Sequence, residues 1–221
     1  MDFDPFAPSY DELLSKQLGF FARERSFFHA RKVAQLRTIN SVGVQNVLDY
    51  GCGVGGALPS LRDAFPAASI FGFDPSDESR LVARRACPWA RFPDADDLRK
   101  IPFDVIYMAC VMHHVPPSGW LQVIQDAKSL LAPGGVLSIF EHNPWNPITQ
   151  WMVHRCPFDA DAVLIRRRTL LSLFRQAGMK VRASGYFLVF PERLSWLSPL
   201  ERLVSQLPVG GQYVVVGSKS A

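Results

Sequence analysis

The stretch Val47-Leu48-Asp49-Tyr50-Gly51-Cys52-Gly53-Val54-Gly55-Gly56 changes character halfway along. It begins as a short apolar run suited to a buried strand and ends in a cluster of glycines. A chain that turns at once from strand to helix needs backbone angles that side chains disfavour, and glycine supplies them. Working outward, short apolar runs alternate with helical stretches. A helix is predicted from about Ala57, a strand over Ser69-Ile70-Phe71-Gly72-Phe73, a helix over Glu78 to Ala86 and a strand over Phe103 to Met108. A further helix carries Trp120, Leu121, Ile124, Ala127, Lys128 and Leu131 and stops at Pro133-Gly134-Gly135. Strand Val136 to Phe140 follows. This alternation predicts a parallel sheet covered on both faces.

The glycines satisfy G-x-G-x-G through Gly51, Gly53 and Gly55, and G-x-G-x-x-G through Gly51, Gly53 and Gly56. Taken alone they leave a nicotinamide dinucleotide and a methionine-bearing nucleoside both open. Three acids separate the two. Asp49, at the mouth of the first strand, would repel a pyrophosphate but attract the ammonium of a methionine-like zwitterion, whose carboxylate can meet N–H groups at the helix start. Asp74 ends the second strand beside Pro75, where a carboxylate can accept both hydroxyls of a ribose. Asp94, in Phe92-Pro93-Asp94-Ala95-Asp96-Asp97, follows an expected third strand and can accept from an adenine amino group; Asp96 is the alternative.

On these residues, together with Leu131-Ala132-Pro133-Gly134-Gly135, the chain resembles the class I S-adenosylmethionine-dependent methyltransferases, closely over about residues 42 to 142. The resemblance implies a Rossmann-like, doubly wound α/β fold with a seven-stranded mixed sheet whose last strand, Gln212 to Val216, runs antiparallel. It implies S-adenosylmethionine as cofactor and S-adenosylhomocysteine as product. Asp49 with Gly51, Cys52, Gly53 and Gly55 would hold the methionine moiety, Asp74 and Pro75 the ribose, and Asp94 with Ala95 the adenine. Ala109 and the following Cys110-Val111-Met112-His113-His114-Val115 match a family segment lining the cofactor and acceptor pocket.

The acceptor end is read from histidines and acids at strand ends. His114 and His113 follow the strand through Met108, and Glu141 with His142 follow the next; each is a candidate to accept a proton as the methyl moves. Asn143-Pro144-Trp145 superficially resembles the Asn-Pro-Pro-Tyr motif of enzymes that methylate adenine or glutamine amide nitrogens. It follows the fifth strand rather than the fourth, so it is read as a decoy. His154 and Cys156 lie close to His142 in sequence, but their spacing matches no metal-site pattern, and no metal is expected.

Before the first strand, Leu13, Leu14, Leu18, Phe21, Phe27, Phe28, Val33 and Leu36 recur at near-helical spacing. They predict two N-terminal helices over residues 10 to 40 as a helical lid, with Tyr10, Phe20, Phe21, Phe27 and Phe28 as its aromatics; Tyr10 or a Phe is a candidate to face the sulfonium, while helical spacing favours core packing for most of these rings. Residues 141 to 158 read as an irregular, proline-rich stretch, followed by a helix over Thr169 to Ala177 and a strand over Val181 to Phe190. One domain is expected over 1–221: a helical cap to residue 41, a cofactor-binding core over 42–142 and a substrate-side remainder over 143–221. The segments Glu141 to Val163 and Leu207 to Tyr213 are similar to a bacterial small-molecule methyltransferase subgroup of polysaccharide or natural-product pathways.

Of 221 residues, 48% are hydrophobic and 20% charged, the composition of a packed globular protein. The formal charge of +4 is spread along the chain, and its densest run, Arg166-Arg167-Arg168, reads as a solvated helix start, so nucleic acid is not an expected partner. The four cysteines form no C-x-x-C pair and read as reduced thiols. No apolar run is long enough to span a membrane, and the acidic N-terminus lacks a signal peptide's regions, so a cytoplasmic location is expected. The sequence therefore points to methyl transfer from S-adenosylmethionine to an oxygen or nitrogen, less readily a carbon, of a small molecule such as a sugar or natural-product intermediate. The alternatives are a non-catalytic S-adenosylmethionine binder and an NAD-dependent oxidoreductase. Oligomeric state leaves no trace in the sequence.

Overall fold

The strands predicted around the glycine stretch pair in a six-stranded sheet ordered β2-β1-β3-β4-β6-β5. These are β1 (Asn46–Tyr50), β2 (Ser69–Phe73), β3 (Phe103–Ala109), β4 (Leu131–His142), β5 (Lys180–Phe187) and β6 (Gln212–Ser218). The computed structural model describes residues 21–22, 25–38, 43–156 and 159–220. The first four strands are mutually parallel, while β6 runs antiparallel to both β4 and β5, as the resemblance implied. Among the described residues no helix is long and apolar enough to cross a membrane.

Among the described residues the sheet has one strand fewer than expected. The segment before Asp94 makes a single parallel bridge, Phe71 to Arg91, tied by Arg91 N to Ile70 O at 3.0 Å and Gly72 N to Arg91 O at 2.9 Å. Pro88 and Pro93 bracket it, and a residue without an N–H cannot extend a ladder. β4 begins at Leu131, ahead of its predicted start. It pairs Leu131 with Phe103, bulges through Ala132–Gly135 with Gly134 at φ +75°, and resumes at Val136 opposite Val105.

Alternation along the strands sends side chains to two cores. Leu48, Ile106, Met108, Leu137, Ile139 and Val215 pack with Trp120, Ile124 and Ala127 of α4 (Trp120–Leu130) and with Leu170 and Phe174 of α6 (Arg167–Gln176). Val47, Val105, Tyr107, Phe140 and Val214 face the other way, onto Val33 of α1 (Arg25–Ala34) and Leu58 and Leu61 of α2 (Leu58–Ala64). α3 (Asp77–Ala86) starts on Ser76, whose Oγ accepts from Ser79 N at 3.0 Å, and puts Asp77 and Glu78 in its first turn.

Two further elements depart from the reading. Within 141–158 lies a helix, α5 (Pro147–Arg155), capped by Asn146 Oδ1 accepting from Ile148 N at 3.0 Å and Thr149 N at 3.1 Å. Asn followed by Pro is an N-cap and first-turn pair, the local signal for this start. The strand expected to reach Phe190 ends at Phe187, because Leu188 takes φ +60° and Glu201 draws the chain aside. The buried Glu201 carboxylate accepts from the N–H groups of Leu188, Val189 and Phe190 and pairs with Arg31 at 2.5 Å. One acid thus fastens α1 to the turn after β5. Of the expected N-terminal lid, residues 21–22 and 25–38 are described, α1 among them; Tyr10 and Phe20 lie outside the described residues.

Candidate functional site

β1 and β3 are neighbours, and the chain leaves β1 toward β2 on one side and returns to β3 on the other. At such a reversal the loops beyond the strand ends part and leave a crevice. A cavity of about 460 Å³ opens there. It runs from Asp49, Gly51, Cys52 and Gly53 past Asp74 and Pro75, along Ala109 and Cys110, to His113, His114 and His142.

The first end is built from backbone. Gly51, Gly53 and Gly55 hold φ of +82°, +50° and +86°, the left-handed region that favours glycine. A Cβ on Gly51 would come within 2.4 Å of Val111 Cγ2, while one on Gly53 would meet nothing within 4 Å among the described residues. Gly51 N and Cys52 N both donate to Phe73 O, at 2.7 and 3.0 Å, fixing the loop to β2. Asp74 closes the corner: Oδ2 accepts from Gly53 N at 2.8 Å and Oδ1 from Ser76 N at 3.0 Å. Asp49 is buried behind the loop. Burial first, and then the Asp74 charge, push its carboxyl up to about 8 against the opposing pull of Lys32. The Tyr107 hydroxyl, also in the lining, is buried without a hydrogen-bond partner among the described residues. Such a group calls for a ligand or water.

Not every residue assigned to this end reaches the cavity. Gly55 lies beyond the lining, against Ala83 and Leu58, and Gly56 lines it instead, beneath His29 of α1. Asp94 and Ala95 also lie outside the lining. Asp94 caps the helical turn Ala95–Leu98, its Oδ1 accepting from Asp96 N at 3.0 Å and Asp97 N at 2.8 Å. Phe21 and Phe28 line the cavity, and Phe27 packs beside them.

The second end is built from side chains. Glu141, fully buried, accepts from Met112 N through Oε1 at 2.8 Å and holds His113 Nδ1 through Oε2 at 2.7 Å. Burial opposes the charged imidazole, but the Glu141 carboxylate and the bond to Asp159 outweigh it and hold His113 well above the usual histidine range. Glu141 is correspondingly lowered, its burial outweighed by His113. His114 goes the other way: burial, then the His113 charge, bring it down to about 4. The His113 and His142 rings lie 5.1 Å apart. Asp159 Oδ1 sits 3.5 Å from His113 Nε2 and 3.4 Å from His114 Nε2.

Between the two ends lies Cys110, at φ +59°, with its backbone N donating to Phe140 O at 2.8 Å. Its Sγ accepts from Lys32 Nζ at 3.5 Å and Gln212 Nε2 at 3.6 Å. Burial would raise the thiol, yet Lys32 and His142 prevail and bring it down to about 7. Lys32, Tyr107, Asp159 and Gln212 were missed in the sequence. They come from α1, β3, the turn after α5 and β6, and no local motif links them. Cys156 lines the cavity too, whereas His154 is exposed on α5 and outside it.

Residues 17–184 match the model of a family described as a methyltransferase domain. The chain is 37% identical over 97 residues to trans-aconitate 2-methyltransferase of Variovorax paradoxus, covering 42% of this chain and 37% of that protein. The chain spans half or less of the length of such curated relatives. Among solved structures, it resembles an S-adenosylmethionine-dependent methyltransferase from Archaeoglobus fulgidus, at 16% identity and a TM-score of 0.64 over 91% of this chain and 97% of that one. A possible histamine N-methyltransferase from Thermotoga maritima is similar at 17% identity and a TM-score of 0.66, over 99% of this chain and 98% of that one. At those identities the likeness to solved structures is one of fold.

Proposed function

From the premise that this chain belongs to the methyltransferase-domain family, we propose that it transfers a methyl group from S-adenosylmethionine to an oxygen or nitrogen atom of a small molecule. One observation carries the reading: a single cavity of about 460 Å³ joins the glycine loop, Asp49 and Asp74 to the histidine cluster at the ends of β3 and β4. The residues fit the cofactor. Among the described residues, a Cβ on Gly53 would meet open space, and the buried Tyr107 hydroxyl in the lining has no hydrogen-bond partner.

When bound, S-adenosylmethionine supplies a methyl already activated on a sulfonium, ready for in-line displacement. The chain's own task is to hold and orient. Asp49 takes the ammonium, the bare main chain of Gly51, Cys52 and Gly53 lies along the methionine moiety, and Asp74 with Pro75 takes the ribose. Phe21 and Phe28 exclude water from above. Holding two reactants in line can supply roughly 7 to 11 kcal/mol of the barrier.

His142 is the proton acceptor. His113 has Nδ1 on Glu141 and Nε2 toward Asp159, and it is held charged. Glu141 is itself fully buried, and both its oxygens are engaged. His114, at about 4, is too weak a base at neutral pH. His142 lines the cavity between the Cys110 thiol and the His113 ring. The walls are largely apolar, with Lys32 the lone non-histidine cation and no arginine among the described lining residues. A tricarboxylate such as the relatives' named trans-aconitate would find few partners there, which favours a less charged acceptor bearing a hydroxyl or amine.

Calorimetry on the full chain tests the cofactor: S-adenosylhomocysteine should bind, and binding of NAD(H) with neither S-adenosylmethionine nor its product would refute the assignment. Transfer of an isotope-labelled methyl to a panel of phenols, sugars, amines and small carboxylic acids should find an acceptor. Binding without transfer to any of them would mark a non-catalytic binder. His142→Ala should lower turnover far more than cofactor affinity.

A further inference from the structure

The turn after β3 and the turn after α5 together hold a cluster that methyl transfer by positioning does not use. His113 Nε2, His114 Nε2 and a carboxylate oxygen of Asp159 all lie within 4.8 Å of one another. We propose that these three residues form a site for a divalent transition-metal ion of the zinc class, held against the acceptor end of the cavity.

Three observations carry this. The first is spacing. Glu141 grips the far side of His113 at 2.7 Å, whereas Asp159 Oδ1 stands 3.5 Å from His113 and 3.4 Å from His114. A zinc ion about 2.0 to 2.1 Å from each of three donors at tetrahedral angles sets neighbouring donors about 3.4 Å apart. The second is the support behind the donors. His113 gives its other ring nitrogen to a fully buried carboxylate, which fixes the ring and leaves Nε2 directed at Asp159, where the ion takes the place of the Nε2 proton and releases it to solvent. A metal-binding histidine is ordinarily oriented by such a partner, so Glu141 is a positioning residue. The third is exposure. The side chains of His113, His114 and Asp159 are 1%, 18% and 10% exposed, yet all three line the cavity. Three protein donors around a cation facing a cavity leave its fourth position to water or substrate, the pattern of a catalytic site and not a structural one.

Two imidazoles with one carboxylate suit zinc, cobalt, nickel or iron(II) better than magnesium or calcium. The use of the ion depends on the methyl-transfer reading; its binding does not. A cation there polarises an acceptor hydroxyl. The hydroxyl proton then passes to His142, the oxygen forms a bond to the methyl carbon, and the carbon–sulfur bond breaks with its electron pair returning to sulfur.

The test uses tag-free, full-length protein stripped with a chelator and titrated with Co(II), then with Zn(II). One equivalent of Co(II) should bind with visible absorption bands of low coordination number, and Zn(II) should bleach them. His114→Ala and Asp159→Asn should each weaken binding by more than the roughly 10- to 100-fold that losing an outer partner costs, and Glu141→Gln by an amount within that range. S-adenosylhomocysteine affinity, measured in parallel, reports both folding and the cofactor reading and should stay unchanged in His114→Ala and Asp159→Asn. Wild-type protein that binds the homocysteine product but takes up no Co(II) or Zn(II) overturns the metal site and leaves the methyltransferase reading standing. Equal metal uptake by wild type and both ligand variants overturns it as well. Metal uptake without any binding of the product overturns the cofactor reading alone.

Discussion

The two ends of the cavity are made by different means. Around Gly51 and Gly53 the working feature is main chain bare of side chains, shaped by N–H bonds to Phe73 O and Asp74. Around His113 they are side chains from separate segments, held by one buried carboxylate. A backbone site tolerates drift in its surroundings but no added Cβ. A side-chain site tolerates backbone drift but not the loss of its anchor. Single substitutions should therefore fail differently at the two ends.

The largest effect is expected at the side-chain end. Glu141→Gln removes the buried partner of a histidine held charged, and breaking one side of a buried pair costs about 3 to 5 kcal/mol. Asp159 shares the charge, which points to the lower figure. Denaturant midpoints should fall accordingly, with turnover reduced and cofactor affinity retained. A fall in affinity as large as that in turnover would mean that the two ends are not separable.

At the backbone end, Gly51→Ala introduces a methyl 2.4 Å from Val111 at φ +82°. Strain of this kind costs about 1 to 3 kcal/mol. Since Val111 is a side chain that can shift, cofactor affinity should suffer most, by roughly tenfold for each 1.4 kcal/mol. Gly53→Ala, with open space around its Cβ, should perturb folding less and binding comparably. Unaltered binding in both variants would break the idea that bare backbone is what the ligand meets.

Asp49 joins the two designs, being a side chain that serves the backbone end. Its carboxyl rises from 3.8 to about 8 in the folded protein, so between those values the native state keeps a proton that the unfolded state has released. The Asp49 contribution to stability without ligand should therefore decline as pH rises from about 4 to about 8 and be constant above. Asp49→Asn should remove that part of the pH dependence. Affinity for S-adenosylmethionine should improve toward pH 8 as the carboxylate ionises to meet the ammonium, and Asp49→Asn should lower it about tenfold. Denaturation and calorimetry at pH 6, 7 and 8 check both signs; an affinity independent of pH in the wild type would remove Asp49 from the ammonium site.

The same contrast explains how much was legible in the sequence. Glycine angles, strand-end acids and the Asn146-Pro147 cap are local, and each is written within a few residues. The His113–Glu141 pair and the approach of Lys32 to Cys110 join residues 28 and 78 positions apart. His114 and His142 were visible as polar residues at strand ends, but what separates their roles is the field of neighbours such as Asp159 and Glu141, which only the fold assembles. The missing edge strand is a milder case. Its apolar and aromatic residues read as a strand, and the flanking Pro88 and Pro93 left room for a single bridge.

The smallest effect separates the two meanings of Asp94. Both its backbone partners bond to Oδ1, so Oδ2 can still accept from an adenine amino group while the turn Ala95–Leu98 stays capped. Asparagine caps about as well as aspartate. Asp94→Asn should therefore leave stability unchanged and put an amide N–H₂ where the adenine amino group must donate, weakening cofactor binding a few-fold. Asp94→Ala should lose the cap as well, at about 0.5 to 2 kcal/mol. Equal affinity in wild type and Asp94→Asn would assign the residue to the fold alone, because the one atom changed is the atom that recognition needs.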